Sequence, residues 1–290
     1  MSGIGEKTMG RIKEILLQKQ NDTYISEYDE NIKLDINNIY QGDCLKLMNG
    51  IPDKSIDMIL CDLPYGTTQN KWDSIIDLDK LWQQYQRVIK NNGMICLTCA
   101  EPFTNILINS KPSQFKFYDL VWDKISTTGF LNAKRQPLRR HEQILCFYQR
   151  QSIYNPIMEI RGKPREKGSY NKKQGNGDMC YGKFKNIKSY NNEYYPTSII
   201  QISNANQKDK LHPTQKPTVL CEYLIKTYTN EGNLVLDNCI GSGTTAISAI
   251  NTNRNFIGIE LQGEYYKLAK DRVNKHIIDH NLQGKYNILA

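Results

Sequence analysis

The sequence of 290 residues lacks several features that each mark a class of protein. No apolar run approaches the ~20 residues of a membrane-spanning helix, and the N-terminal stretch has no apolar core of the signal-peptide type. The eight cysteines include one C-x-x-C pair, Cys96 and Cys99, with no second pair or histidine cluster to complete a zinc site. We therefore expect a cytoplasmic protein without a membrane segment or a metal ion.

Acidic residues are too few to balance the basic ones, and the net charge is +8. The excess is concentrated in residues 151–210, which hold eleven Lys and Arg against five Asp and Glu. Six tyrosines in this segment argue against plain disorder. Four cations precede it: Lys134, Arg135, Arg139 and Arg140. Clustered positive charge favours a polyanionic partner such as nucleic acid, although a solvated lysine-rich loop is the alternative for the segment.

Short apolar, β-rich runs alternate with helix-like stretches over most of the chain. The predicted strands are 38–42, 56–61, 93–98, 117–122, 143–148, 233–237 and 255–259. The predicted helices are 78–90, 101–109, 214–229, 243–253 and 262–279. Such alternation indicates an α/β fold with a mostly parallel sheet and helices on both faces. Residues 151–210 break the pattern and predict a small irregular basic insert, while residues 1–35 form an N-terminal appendage.

In sheets of this kind, ligands bind beyond the carboxyl ends of the strands. The first loop of interest is "DLPYG", which begins at Asp62 directly after the predicted strand 56–61. It combines a carboxylate, the ring of Tyr65 and a backbone that Pro64 restricts. An acid beside an aromatic ring at a strand end is a candidate site, and an ordinary turn is the alternative.

The second loop of interest is "LVLDNCIGSGTTAISAI", in which Asp237 ends a strand and Gly241-Ser242-Gly243 leads to Thr244 at the start of a helix. Glycines let the backbone approach a ligand, and a helix N-terminus favours anionic groups. Neither the phosphate-loop lysine nor the complete G-x-G-x-x-G pattern is present. Glu260 ends the next strand, where an acid can accept hydrogen bonds from both ribose hydroxyls. The pair predicts a nucleoside-bearing cofactor, with an ordinary strand–turn–helix corner as the alternative.

These motifs together resemble those of DNA amino-methyltransferases that use S-adenosylmethionine. "DLPYG" is similar to their D-P-P-Y motif, and "DNCIGSGTT" is similar to D-P-F-x-G-S-G-T-T. "HPTQKP" at 212–217 precedes the cofactor motif, and the catalytic motif comes first in the chain, as in the β class. "DLPYGTT" and "TGFLNAK" extend the likeness to phage and prophage site-specific adenine methyltransferases. The chain departs from the pattern at Leu63, Asn238 and Cys239.

The resemblance implies a Rossmann-like methyltransferase fold with a seven-stranded sheet. Residues 36–150 would form the catalytic half, 151–210 a target-recognition insert and 211–290 the cofactor-binding half. The implied reaction is transfer of a methyl group from S-adenosylmethionine to adenine N6 in double-stranded DNA after base flipping. Homodimers occur in this branch, so a homodimer is possible.

The resemblance also assigns roles to individual residues. The catalytic residues would be Asp62, Pro64 and Tyr65, with Tyr65 stacking on the flipped base. The cofactor residues would be Asp43, Asp62, Thr214, Lys216, Asp237, Gly241, Gly243, Thr244 and Glu260. DNA would be bound through Lys134, Arg135, Arg139 and Arg140. For Asp43, Thr214 and Lys216, a plain surface or capping role is the alternative.

Three other functions fit parts of the sequence. Cytosine N4 offers the same two amine donors as adenine N6, so only the family pattern favours adenine. An RNA or protein-amide methyltransferase would use similar motifs. A non-catalytic binding protein with this fold is the third alternative, which the intact catalytic and cofactor motifs disfavour.

Overall fold

The computed structural model describes residues 33–66, 75–167, 188–204 and 215–286. These ranges contain ten strands and six α-helices. The strands are β1 (Asn38–Gln41), β2 (Ile56–Cys61), β3 (Ile89–Cys99), β4 (Lys116–Thr128), β5 (Arg139–Tyr148), β6 (Glu159–Lys167), β7 (Ser189–Tyr194), β8 (Ile199–Gln201), β9 (Leu234–Asp237) and β10 (Asn255–Glu260). The helices are α1 (Cys44–Leu47), α2 (Leu78–Val88), α3 (Phe103–Ser110), α4 (Thr218–Tyr228), α5 (Thr244–Asn251) and α6 (Gly263–Asp279).

Eight of the strands form one mixed sheet in the order β1-β10-β9-β2-β3-β5-β4-β8. Five of the seven pairings are parallel, and β5 runs antiparallel to both of its neighbours. The mostly parallel sheet is therefore confirmed, but the count of seven strands is wrong. The additional strand, β8, has three residues and lies in the segment without visible alternation, so it is too short to produce a periodic pattern.

Helices cover both faces of the sheet, as the strand–helix alternation predicts. One hydrophobic core contains Leu224, Ala246 and Val273 from α4, α5 and α6. The other contains Trp82 from α2 and Phe103 from α3. Both faces of the central strands are therefore buried, which explains why these strands read as continuous apolar runs.

Helix α4 begins later than the sequence predicts. Pro217 is its N-cap residue, and a prolyl ring disfavours the helical conformation of the residue before it. Lys216 therefore lies outside the helix, in the extended segment that enters it. This start leaves the Lys216 side chain directed toward the ends of the strands, where it meets the candidate site.

The described parts of the basic segment contain a two-stranded antiparallel ribbon formed by β6 and β7. Three of its cations lie over the ring of Tyr194: Arg161, Arg165 and Lys167. The tip between the two strands, and most of the predicted appendage 1–35, lie outside the described residues.

Among the helices of the described ranges, none is long and apolar enough to cross a bilayer. Within the same ranges, no group of three or more His, Cys, Asp or Glu side chains is arranged to hold a metal ion.

Candidate active site

The loops after β2, β9 and β10 meet at one edge of the sheet. Strand β9 lies between β10 and β2, with Gly258 opposite Asp237 on one side and Met58 opposite Val235 on the other. A cavity of about 420 Å³ opens at the carboxyl ends of these strands. It lies at a point where connections leave neighbouring strands in opposite directions, which is where ligands bind in open α/β sheets. Eight predicted residues line it: Asp62, Pro64, Tyr65, Lys216, Asp237, Gly241, Thr244 and Glu260.

Asp62 is the most heavily engaged side chain of the cavity. Strands β2 and β3 pair Cys61 with Leu97, so the next residues, Asp62 and Thr98, lie level with one another. The Thr98 hydroxyl donates a short hydrogen bond to Asp62 Oδ1, and the Tyr65 hydroxyl donates to the same oxygen at 2.7 Å. Asp62 is therefore held in a fixed orientation at the end of its strand.

Lys216 reaches Asp62 from 154 positions further along the chain, and its Nζ donates to Asp62 Oδ2 at 2.6 Å. The same ammonium lies 3.4 Å from Glu142 Oε2, and Lys124 Nζ donates to Glu142 Oε1 at 3.1 Å. Asp62, Glu142, Lys124 and Lys216 thus form a charge-balanced network beneath the cavity. Carboxylates and ammonium groups stay charged in a partly buried site only when they are paired in this way.

The pairing sets the pKa values in the network. Burial alone would lower the pKa of Lys216, but the carboxylates of Asp62 and Glu142 outweigh it and raise this pKa above its ordinary value. Burial would raise the pKa of Glu142, but Lys216 and Lys124 outweigh it and lower this pKa. Both residues therefore keep their charges at neutral pH.

The ring of Tyr65 packs on Phe103, with ring centroids 5.3 Å apart and planes inclined by 21°. Burial first, and the nearby Asp62 second, raise the pKa of Tyr65 well above its ordinary value, so its hydroxyl remains a donor. Phe103 covers one face of the ring, so only the other face could receive a planar ligand. Leu63 is 3% exposed and packs in the hydrophobic core, so its side chain contributes to packing.

Asp237 is buried at the end of β9 and accepts the N–H of Cys239 at 3.1 Å. Burial raises the pKa of Asp237 to about 7. The buried side chain of Asn238, which replaces a proline of the family pattern, accepts the Tyr85 hydroxyl at 2.6 Å. Asp237 thus orders the loop, and Asn238 connects the loop to helix α2.

Hydrogen bonds from two sides stabilise the glycine-rich loop. The Gly241 N–H donates to Glu260 Oε2 at 2.9 Å, and the Gln262 N–H donates to Glu260 Oε1 at 2.9 Å. Arg272 on α6 donates to the Ser242 carbonyl oxygen at 2.8 Å and to Thr244 Oγ1 at 3.0 Å. Burial raises the pKa of Glu260. Since each carboxylate oxygen accepts about two hydrogen bonds, Glu260 retains capacity for ribose hydroxyls.

Two predicted cofactor residues in the described part of the chain, Gly243 and Asp43, do not lie in the cavity wall. Gly243 has a φ of 80° and packs against α6, where a Cβ atom would meet Val273 Cγ2 at 3.0 Å. Asp43 is exposed and accepts the Leu45 N–H at 2.8 Å, which is the capping role named as its alternative. Thr214 lies outside the described residues. Gly243 therefore allows close packing against α6, and Asp43 caps the N-terminus of α1.

The predicted DNA-binding residues lie on the connection between β4 and β5 and at the start of β5, and all four are exposed. Arg140 donates two hydrogen bonds to Asp123, at 2.7 and 2.8 Å, which hold its guanidinium against the neighbouring strand β4. Two apolar residues stand out at the tip of the connection, since Phe130 is 78% and Leu131 is 82% exposed.

Thr98, Lys124, Glu142 and Arg272 are site residues that the sequence interpretation missed. Thr98 could be predicted from the sequence, because it ends the predicted strand next to the one that precedes Asp62. Glu142 could not be predicted, because it lies at the start of its strand. Only the antiparallel direction of β5 brings that start to the carboxyl edge of the sheet.

The architecture is shared with solved structures, one of which is described as a DNA methyltransferase. The chain resembles the M1.HpyAVI–SAM complex with a TM-score of 0.56 and 24% identity, covering 82% of this chain and 98% of that one. It resembles the PvuII DNA methyltransferase, described as cytosine-N4-specific, with a TM-score of 0.56 and 16% identity, covering 89% and 96%. These likenesses define the fold as that of the methyltransferases.

The sequence model of the N6/N4 DNA methylase family matches residues 56–271, and the chain therefore belongs to this family. It is 27% identical over 245 residues to the type II methyltransferase M.HpaI of Haemophilus parainfluenzae, covering 80% of this chain and 73% of that protein. It is 27% identical over 295 residues to M2.MboI of Moraxella bovis, covering 87% and 91%. The family that the motifs indicate is confirmed; the β class and the likeness to phage enzymes stay predictions.

Proposed function

We propose that the protein transfers a methyl group from S-adenosylmethionine to the N6 amine of adenine in double-stranded DNA. The observation that carries the proposal is the position of Asp62, a carboxylate fixed beside the cavity that the glycine-rich loop lines. An acid at the first position of the catalytic motif favours adenine by the family resemblance. Family membership supports methylation of an exocyclic amine in DNA.

The residues of the cavity fit S-adenosylmethionine. Its volume of about 420 Å³ lies in the range of small-molecule sites. Asp237 and Glu260 are buried acids whose pKa values are raised, so a cationic or hydroxyl-rich ligand would compensate their burial. Glu260 would accept the ribose hydroxyls, and Gly241 and Thr244 would hold the methionine part, whereas Lys216 is already paired with Asp62 and Glu142.

The cofactor, when bound, supplies an electrophilic methyl group on a sulfonium sulfur. The amine is a poor nucleophile because its lone pair is delocalised into the base. Asp62 can accept one amine N–H, and a backbone carbonyl at Leu63 or Pro64 can accept the other, which localises the lone pair on nitrogen. Transfer of the methyl group would leave the S–C electron pair on sulfur and a surplus proton on the amine, which Asp62 would accept.

The surface around the cavity supports a DNA substrate. Lys134 and Arg135 are exposed on the connection that follows β4, and the exposed Arg139 at the start of β5 pairs with the cavity-lining Thr128. Lysine and arginine side chains neutralise phosphates. The exposed Phe130 is of the kind that enters the space a flipped base leaves in the duplex.

The test is methylation of DNA with tritiated S-adenosylmethionine, followed by separation of the nucleosides. We expect N6-methyladenine from the unchanged protein and at least a 100-fold slower reaction from Asp62→Ala. N4-methylcytosine as the sole product would overturn the adenine assignment, and full activity of Asp62→Ala would overturn the mechanism. Competition between duplex DNA and structured RNA separates the proposal from RNA methylation. Sequencing of modified DNA gives the recognition site.

A further inference from the structure

Only one oxygen of Asp62, Oδ2, can accept another hydrogen bond. Its Oδ1 atom accepts the hydroxyls of Tyr65 and Thr98, and a carboxylate oxygen has about two acceptor positions. Its Oδ2 atom accepts the ammonium of Lys216 at 2.6 Å. An incoming amine N–H therefore has to be accepted by Oδ2, which already carries a charge-assisted hydrogen bond.

In this position, Lys216 weakens Asp62 as a hydrogen-bond acceptor for the target amine. A positive charge beside a carboxylate stabilises its ionised form and lowers its attraction for a further proton. The amine would meet an acceptor weakened by the ammonium at the step that needs a strong acceptor. Asp62 becomes fully effective only when Lys216 has another partner.

A second acceptor for Lys216 is already in place. Glu142 Oε2 is buried and accepts no hydrogen bond from the described part of the chain, although Lys216 Nζ lies 3.4 Å away. A movement of about half an ångström would bring the ammonium to hydrogen-bonding distance of this oxygen. A buried acceptor without a hydrogen bond destabilises the protein. A hydrogen bond from Lys216 to Glu142 Oε2 would therefore be favourable.

Lys124 fixes Glu142 in a position to receive Lys216. Lys124 Nζ donates to Glu142 Oε1 at 3.1 Å, and the Lys124 side chain is buried. The two residues lie on the paired strands β4 and β5, so their relative position is set by the sheet. Glu142 is thereby a fixed acceptor, whereas Lys216 has the long, flexible side chain.

We propose that Lys216 passes its hydrogen bond from Asp62 Oδ2 to Glu142 Oε2 when the target amine enters, which makes Glu142 a positioning residue for methyl transfer. This inference rests on the proposed function. The amine N–H takes the position that the ammonium leaves, and the total charge of the network does not change. Neither the sheet nor helix α4 has to move.

The first test is structural and needs neither DNA nor catalysis. Asp62→Asn removes the charge that attracts Lys216, so a crystal structure of this variant should show Lys216 Nζ within about 3 Å of Glu142 Oε2. A Lys216 side chain that stays on position 62, or that turns to solvent, overturns the inference. The result stands even if the unchanged protein transfers no methyl group to DNA, an outcome that would instead overturn the proposed function.

The second test is kinetic and uses single-turnover methylation of unmethylated plasmid DNA at saturating S-adenosylmethionine. Glu142→Gln keeps the shape of the side chain but removes its charge, so Lys216 should stay on Asp62. We expect at least a tenfold lower rate, a cofactor KM within about twofold of the original, and partial recovery in Glu142→Asp. An unchanged rate in Glu142→Gln overturns the inference.

A double variant separates positioning from loss of folding. If Lys216 blocks Asp62 when Glu142 is neutral, then Glu142→Gln combined with Lys216→Gln should react faster than Glu142→Gln alone. A double variant as slow as, or slower than, Glu142→Gln overturns the inference. Residues that act as a unit show this kind of non-additivity, whereas independent losses multiply.

Discussion

The Tyr85 hydroxyl donates a hydrogen bond to Asn238 Oδ1 at 2.6 Å, across 153 positions of the chain. Both side chains are buried, and the bond connects helix α2 to the loop after β9. Asn238 stands where the family pattern has a proline, which has no side-chain acceptor. Asn238 therefore accepts a buried side-chain hydrogen bond that a proline at this position could not accept.

Tyr85→Phe should destabilise the protein, because it leaves the Asn238 carbonyl oxygen buried without this donor. We expect a loss of ~1–3 kcal/mol in the free energy of unfolding, measured by urea denaturation. Tyr190→Phe is the matched control, since Tyr190 is 74% exposed. Equal stability of the two variants would contradict a structural role for the Tyr85–Asn238 bond.

Asp237→Asn should change how stability depends on pH in the cofactor-free protein. Burial raises the pKa of Asp237 from 3.8 to about 7, so the folded state binds more protons than the unfolded state between these values. The unchanged protein therefore loses stability as pH rises through this window, and the variant does not. The advantage of Asp237→Asn should grow by on the order of 2 kcal/mol from pH 5 to pH 8.

Denaturation of both proteins at the two pH values measures this difference. Asp271→Asn is the control, because Asp271 is exposed on helix α6, and its effect should be small at both values. A pH-independent effect of Asp237→Asn would show that Asp237 does not titrate in this range.

Gly243→Ala should be more harmful than Gly232→Ala. Both glycines have left-handed backbones, with φ values of 80° and 79°. A Cβ atom at Gly232 would meet nothing within 4 Å, whereas one at Gly243 would meet Val273 Cγ2 at 3.0 Å and the Ala269 carbonyl oxygen at 3.3 Å. Both variants lose ~1 kcal/mol through strain, and Gly243→Ala loses a further ~1 kcal/mol or more through overpacking. Similar melting temperatures would contradict this packing role.

The cations near the cavity should contribute unequally to DNA binding. Each lost phosphate contact lowers the slope of log K against log salt by about 1. We expect this reduction for Lys134→Ala and for Arg135→Ala, and a smaller one for Arg140→Ala, because Asp123 already holds Arg140. Fluorescence anisotropy over a salt series measures the slopes. Unchanged slopes for Lys134→Ala and Arg135→Ala would remove this surface from the DNA interface.

The sequence predicts well those parts of the site that follow parallel strands. Asp62, Asp237 and Glu260 each end such a strand, so the topology rule alone brings them to one edge. The rule cannot find Glu142, which begins an antiparallel strand, or Arg272, which lies within a helix. Their positions depend on strand direction and helix packing, which are tertiary properties that local patterns do not encode.

The same limit applies to the conformation of single residues. The motif predicts that Tyr65 stacks on a base, which stays a prediction, whereas the structure shows its hydroxyl on Asp62 and its ring on Phe103. Asp43 was expected at the cofactor, but Asp and Ser residues before a helix commonly cap it. A motif identifies which residues belong to a site more reliably than it identifies their contacts.

The strand order has a consequence for how the protein is made. Strands β9 and β10 lie between β1 and β2 in the sheet, although they are synthesised long after both. A nascent chain that ends before residue 234 has a gap two strands wide between β1 and β2, with one edge of β2 unpaired. Open strand edges of this kind promote aggregation. Residues 36–150 should therefore not fold stably alone, and folding should be completed only when β9 and β10 leave the ribosome.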